Sequence, residues 1–210
     1  MRKTIIGLSK GRIAKAYINY LYNNNVISNK PDESRKLYFE TENYTFTFLK
    51  PMDIIKCLSL GIIDLGVIGS DVYENVYLFN DEYGKKVFGM LDINLFNCSF
   101  ALAAPKNVNI DDIKRIAVSS ELAAFQYFYD RNSKFDFEYV LMDGSLEIAP
   151  FLGYADAIVD IVETGETIRA NDLEIKKIFS PITTTIITST CKIDDEKVKD
   201  FVRVNERIRQ

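Results

Sequence analysis

The sequence predicts an α/β fold, with a mostly parallel sheet covered by helices on both faces. Three observations carry this. Short β-branched and apolar runs alternate with helical stretches along the whole chain. Runs such as residues 62–68 are too continuously apolar for a surface strand and suit a sheet buried on both sides. The stretches joining the runs are long enough for the crossover helices that parallel neighbours require.

The elements follow in order. Residues 3–8 read as a strand, followed by Ser9-Lys10-Gly11-Arg12 and a helix to about Asn25, where an asparagine cluster ends it. Residues 37–41 and 44–49 alternate polar and apolar around Glu42-Asn43, a hairpin signal. Pro51 opens a helix that runs to about Leu60, proline being suited to a first helical turn. Gly61 stops it, and strands follow at 62–68 and 98–104, the second ended by Pro105. The alternation then repeats: strand 115–119, helix 120–132, strand 137–141, helix 146–152, strand 157–162, a Thr-Gly loop and a short helix. Strands at 174–179 and 183–188 and an amphipathic helix at 194–207 complete the order. The polar connector 107–112 reads as a boundary between lobes.

Composition narrows the chemistry. No stretch approaches the ~18 uninterrupted apolar residues of a membrane helix. The basic N-terminal start breaks at Ser9-Lys10, without the longer apolar region of a signal peptide, so a cytoplasmic location is expected. A net charge of −4 argues against a nucleic-acid surface. Cys57, Cys98 and Cys191 lie far apart and are expected as buried free thiols. The chain has no histidine. That excludes Ser-His-Asp and Cys-His catalysis and His-ligated zinc or iron. Chemistry must rest on carboxylates, hydroxyls, Lys and Arg, backbone amides, or a metal carried in by substrate.

The segment richest in chemistry is residues 156–171. An apolar strand carries Asp156 and Asp160 and turns through Glu163-Thr164-Gly165-Glu166-Thr167 into a helix start. Backbone N–H groups at a helix start favour an anion, and the two hydroxyls add donors. Gly165 lets the backbone approach a phosphate without a Cβ in the way, and a carboxylate at the strand's end can accept both hydroxyls of a ribose. A plainer reading has the loop merely capping a helix, with Thr167 as the cap and Glu163 a solvated charge.

Longer blocks point further. Gly144-Ser145-Leu146-Glu147-Ile148-Ala149-Pro150, then residues 153–160, then Thr164-Gly165-Glu166-Thr167-Ile168-Arg169-Ala170-Asn171 closely resemble ATP phosphoribosyltransferase. Lys10-Gly11-Arg12, Ser34-Arg35-Lys36-Leu37, Pro51-Met52-Asp53 and residues 64–71 resemble it in the same order, so nearly the whole chain is covered. The chain ends near the helix that would close the catalytic core, which resembles the family's short form.

That resemblance implies two lobes of the periplasmic-binding-protein type II kind with an interlobe cleft. Lobe I would be residues 1–95 plus 183–210, and lobe II residues 96–182, carrying the phosphoribosyl pyrophosphate loop. It implies an enzyme of the first step of histidine biosynthesis. Adenine N1 of ATP would join C1 of phosphoribosyl pyrophosphate, and pyrophosphate would leave with Mg²⁺ that came in on the substrate. Glu163, Thr164, Gly165, Glu166 and Thr167 would surround the ribose 5-phosphate. Asp160, with Asp156 second to it, would meet the ribose hydroxyls, and Ser145 and Glu147 would line the same cleft. Lys10, Gly11, Arg12, Arg35 and Asp71 would face ATP or pyrophosphate, Lys10, Arg12, Glu147 and Asp160 being the catalytic set. Asp53 and Asp71 could equally cap helices. The resemblance further implies a homodimer assembling with a regulatory subunit that resembles histidyl-tRNA synthetase.

The sequence departs from the family pattern at Ser9, where a proline is usual, and at Lys50, where an arginine is. Leu95-Phe96-Asn97 replaces a glycine-containing turn, and Val118-Ser119 a Thr-Lys pair. A lysine cannot reproduce the forked contact of an arginine with phosphate. The alternative is a non-catalytic small-molecule-binding or assembly paralogue with the same bilobal fold.

Overall fold

The computed structural model describes residues 2–32, 36–130 and 138–209. In chain order the elements are β1 (Thr4–Ser9), α1 (Arg12–Asn23), β2 (Tyr38–Glu40), β3 (Tyr44–Leu49), α2 (Pro51–Ser59), β4 (Leu65–Gly69) and α3 (Ser70–Phe79). They continue with β5 (Val87–Pro105), β6 (Arg115–Val118), α4 (Glu121–Asp130), β7 (Glu138–Leu141), α5 (Ile148–Phe151), β8 (Ala157–Val162), α6 (Glu166–Ala170), β9 (Leu173–Ser189) and α7 (Glu196–Arg209). The chain divides into two compact units, Met1–Leu95 with Thr183–Gln210, and Phe96–Ile182. Strands β5 and β9 carry the chain from one unit to the other.

In the first unit, β1 pairs in parallel with β3 and β4, and β2 and the end of β9 add antiparallel strands. Strand alternation sorts its apolar residues onto two faces. Ile6, Leu8, Phe46 and Val67 pack with Tyr17 and Leu21 of α1 and Phe201 of α7. Ile68 and Ile187 pack on the other face with Ile54, Ile55 and Leu58 of α2. Gly66 permits this close approach, because a Cβ there would collide with Ile54 of α2 and press on Leu58. The Tyr17 hydroxyl donates to Asn205 Oδ1 at 2.8 Å inside the core, tying α1 to α7. Burial pushes the Tyr17 pKa well up, so it stays a neutral donor.

Asp64 knots the same unit together just before β4. Its Oδ2 accepts from the Ile5 amide at 2.8 Å, and its Oδ1 from Lys192 Nζ at 2.6 Å. Lys192 also donates to the Gly61 and Ile63 carbonyls at 3.3 and 3.4 Å.

In the second unit, β6 pairs in parallel with β7 and β8, and β5 joins β8 antiparallel. Phe100, Leu102, Ile116 and Val159 pack on Leu122 and Tyr127 of α4. Ile158, Ala103 and Ala117 pack on the other face with Ala149 of α5 and Ile168 of α6. The α/β class with helices on both sheet faces is therefore present in each unit.

Several expectations need correction. The 107–112 connector lies inside the second unit, where Ile110–Asp112 forms a tight 3₁₀ turn. The two strands expected at 174–179 and 183–188 are one continuous strand, β9. The strand expected at 98–104 begins earlier, at Val87. Of the cysteines only Cys98 is buried; Cys57 is half-buried and Cys191 exposed, and none of the three is in a disulfide. The expected end of the 120–132 helix and Phe137 at the head of the next strand lie outside the described residues. Among the described residues no helix is long and apolar enough to cross a membrane.

Candidate active site

The loop between β8 and α6 is built around one glycine. Gly165 takes φ 70° and ψ 16°, the left-handed region that residues with a Cβ enter at a cost. It is buried, and a Cβ there would lie 3.1 Å from Arg169 Nη1 and 3.3 Å from Ile175 Cδ1. Gly165 itself starts α6, with no side-chain cap. Thr167 is therefore not the cap that the plainer sequence reading made it; it lies within the helix, exposed, as are Glu163, Thr164 and Glu166.

Hydrogen bonds from within the segment hold this loop. Thr164 Oγ1 accepts from the Glu166 amide at 3.4 Å. The Arg169 amide donates to the Gly165 carbonyl at 3.1 Å, and Arg169 Nη2 donates to the Thr164 carbonyl at 3.0 Å. Sequence reasoning does not single out Arg169. Its signal is nonetheless present, since it is the lone cation among four carboxylates in residues 156–171.

Strand direction explains what gathers around the loop. Because β6, β7 and β8 are parallel, their carboxyl ends share one edge of the sheet. That edge collects Ser119 and Ser120 after β6, residues 143–147 after β7, and residues 163–167 after β8. Ligands of open α/β sheets are held at such edges. Ser145 has a left-handed φ of 52°, and Glu147 is half-buried at the start of α5. Asp160 lies between Ile158 and Val162 on the face that packs under α5 and α6. Its Oδ1 accepts from the Ile161 amide at 2.8 Å. Ser120 Oγ accepts from the Ala123 amide at 3.2 Å and so caps α4, a residue that sequence reasoning passes over although serine is a favoured cap.

Asp156 is placed elsewhere. It precedes β8, at the end of the strand remote from the loop. One of its carboxylate oxygens accepts from the amides of Lys114 and Arg115 at 2.9 and 2.8 Å. Those bonds anchor the start of β6 and take Asp156 out of the sugar-binding set.

The first unit repeats the geometry. The carboxyl ends of β1, β3 and β4 share an edge, which collects Lys10-Gly11-Arg12, then Lys50 to Asp53, then Ser70 and Asp71. Lys10 is exposed and its amide donates to the Leu49 carbonyl at 2.9 Å. Gly11 has φ 107°, and Arg12, also exposed, is the first residue of α1. Beside Gly11 opens a cavity of about 450 Å³, lined by Ile18, Pro31 and Phe48 with Lys15 and Lys30. Asp53 is exposed in the first turn of α2, where a carboxylate suits the helix dipole. Asp71 is in the first turn of α3 and partly buried. Burial raises its pKa, against bonds from the Val72 amide and its own. A perturbed carboxylate at a strand-end edge is a pattern of functional groups, which favours Asp71 over Asp53. Arg35 lies outside the described residues.

With this geometry in place, the comparisons decide the family. A family model described as ATP phosphoribosyltransferase matches residues 50–209. The ATP phosphoribosyltransferase of Clostridium botulinum (strain Okra / Type B1) is 34% identical over 221 positions, covering 100% of both chains. The chain belongs to the ATP phosphoribosyltransferase family. As a member it is a transferase, and the likeness to Listeria innocua ATP phosphoribosyltransferase agrees, with 31% identity over 98% of this chain and 95% of that one. Lys10, Gly11 and Arg12 precede the part matched by the ATP phosphoribosyltransferase family model but fall within the full-length alignment.

Among solved structures, the ATP phosphoribosyl transferase (HisG:HisZ) complex from Thermotoga maritima superposes with a TM-score of 0.73. It is 26% identical and covers 98% of each chain. A Candida albicans protein exhibiting the generic periplasmic binding protein fold superposes at 0.60, with 13% identity over 99% of this chain and 71% of that one. That second likeness concerns fold alone, and it bears out the periplasmic-binding-protein class expected from the sequence.

Proposed function

We propose that this chain is the catalytic subunit that joins adenine N1 of ATP to C1 of phosphoribosyl pyrophosphate, releasing pyrophosphate, in the first step of histidine biosynthesis. The observation that carries this reading is the Thr164-Gly165 loop. A left-handed glycine starts α6 between two exposed threonines, Thr164 and Thr167, at the carboxyl edge of parallel strands, in a chain of this family.

The chemistry suits the residues available. A bond forms from N1 to C1 as the bond from C1 to pyrophosphate oxygen breaks. The ring nitrogen is already a nucleophile and pyrophosphate already a leaving group, so positioning and charge stabilisation can supply most of the catalysis. A chain without histidine is adequate for that. In this reading, Glu163 to Thr167 hold the 5-phosphate, with backbone amides and the hydroxyls of Thr164 and Thr167 as donors. The exposed Glu166 carboxylate stays toward water, since like charges ~4 Å apart repel by about 1 kcal/mol even there. Asp160 accepts from the ribose hydroxyls, and Glu147 and Ser145 line the same sheet edge. On the ATP side, Lys10 and Arg12 meet phosphate charge at the β1 edge with Gly11 and Asp71.

Among the described residues no three Asp, Glu, Cys or His side chains form a group that could hold a metal ion. We assign Mg²⁺ to the substrate, where it would neutralise pyrophosphate charge. The Thermotoga maritima neighbour is a complex of two proteins, which supports a partner subunit for this chain; we take it to be a regulatory subunit resembling histidyl-tRNA synthetase, joined by homodimers of this chain. The test is direct. ATP, phosphoribosyl pyrophosphate and Mg²⁺ are added to the chain, with and without that subunit, and an absorbance rise from the modified adenine ring is expected. No rise in either condition sinks the proposal.

A further inference from the structure

Arg169 is exposed, yet its guanidinium folds back onto the 163–167 loop and donates to the Thr164 carbonyl at 3.0 Å. Its amide makes the first-turn helical bond to the Gly165 carbonyl, and its guanidinium holds the carbonyl of the preceding peptide, Thr164–Gly165. No described peptide bond is cis. In a trans peptide the C=O and the N–H of the next residue point in opposite directions. A guanidinium that draws the Thr164 carbonyl toward itself therefore turns the Gly165 N–H the other way. Arg169 Nη1 also lies 3.1 Å from where a Gly165 Cβ would stand, so the guanidinium packs against this glycine.

We propose that Arg169 is a positioning residue: by holding the Thr164 carbonyl it fixes the Thr164–Gly165 peptide so that the Gly165 N–H is presented to the sugar phosphate. This rests on the phosphoribosyl reading of the loop. A second contribution comes from charge. A dianion must enter a stretch that carries Asp160, Glu163 and Glu166, and Arg169 is the only cation among residues 160–171. A fixed positive charge near the loop lowers the repulsion the phosphate meets. Acting through a backbone group, Arg169 affects ligand affinity without touching the reacting atoms.

The experiment is calorimetric titration of the full chain with ribose 5-phosphate, and separately with ATP, for wild type, Arg169→Ala and Arg169→Lys. Arg169→Ala is expected to bind ribose 5-phosphate about tenfold more weakly, the loss of one charge-assisted hydrogen bond. Its ATP affinity should stay within about twofold and its melting temperature should hardly move, because the side chain is exposed. Arg169→Lys keeps the charge and one donor, and should recover part of the affinity. Under turnover the KM for phosphoribosyl pyrophosphate should rise in Arg169→Ala while the KM for ATP holds. The inference is overturned if Arg169→Ala binds ribose 5-phosphate like wild type, or if ATP affinity falls by the same factor. If wild type binds no ribose 5-phosphate, the phosphoribosyl reading itself fails and this inference with it.

Discussion

Gly165→Val should cut kcat/KM for phosphoribosyl pyrophosphate by about a hundredfold, equivalent to roughly 2.7 kcal/mol of lost transition-state stabilisation. Three effects act together. At φ 70° a β-branched residue sits outside its allowed backbone regions, at a cost of roughly 1–2 kcal/mol. The new Cβ would meet Arg169 Nη1 at 3.1 Å and Ile175 Cδ1 at 3.3 Å. Relief therefore has to come from the loop or from the arginine that clamps it. The added methyl groups also hold a phosphate away from the backbone amides. Gly165→Ala removes only the last of these effects and should lie between wild type and valine. The effect belongs to the sugar-phosphate side, so in steady-state assays KM for phosphoribosyl pyrophosphate should move and KM for ATP should not. A valine variant with an unchanged KM for phosphoribosyl pyrophosphate would remove this loop from the substrate site.

The second large effect concerns stability. Asp64→Ala is expected to destabilise the fold by about 3 kcal/mol, because it leaves the Ile5 amide without its side-chain acceptor and the Lys192 ammonium without its counter-charge. The pair is largely shielded, with side-chain exposures of 14% for Asp64 and 22% for Lys192, so solvent screening weakens it little. Burial alone would raise the Asp64 pKa. The Ile5 N–H, Lys192 and Arg2 overturn that and hold it below the usual carboxylate range. A carboxylate whose folded pKa is depressed contributes stability above its unfolded pKa of about 3.9 and loses it as pH falls through the folded value. Urea titrations should therefore show the largest gap between wild type and Asp64→Ala at neutral pH, closing on acidification. A gap that did not change with pH would assign the loss to packing instead of charge.

The strands and helices most clearly patterned in the sequence are those whose apolar residues sort by face. In β1, Ile6 and Leu8 serve one layer while Ile5 serves the other, and α1 buries Ala14, Tyr17, Ile18 and Leu21 along one stripe. Elsewhere the sorting fails. Helix α3 was not legible because Tyr77, Leu78 and Phe79 are apolar yet exposed, which blurs the helical period. The apolar run at 62–68 starts the strand too early. Ile62 is 55% exposed, and β4 begins only after the Asp64 knot. The strands expected at 174–179 and 183–188 leave a gap around Pro181, yet β9 runs through it, with the unit boundary at Ile182.

For the site, the loop was legible through Gly165, whose backbone need is local. The roles of Asp156 and Arg169 were not, because both depend on hydrogen-bonding partners. Asp156 reaches amides more than 40 positions away. Arg169 reaches only to Thr164, yet no spacing rule indicates that an arginine will fold back onto its own loop.

The division of the chain also bears on how it is made. The first unit joins Ile6 and Leu8 to Ile186, Val198 and Phe201 in one cluster, so its core needs residues from both 1–95 and 183–210. The second unit is one uninterrupted stretch. At ~5–20 residues per second, residues 1–95 emerge from the ribosome on the order of ten seconds before strand β9 reaches them. During that interval the β4 edge that later pairs with Thr184 to Thr188 is open, and open edges recruit other chains. The contiguous stretch can close its core meanwhile. Newly made first units are thus the natural clients for chaperones, and slow translation beyond residue 95 should lower the yield of native protein.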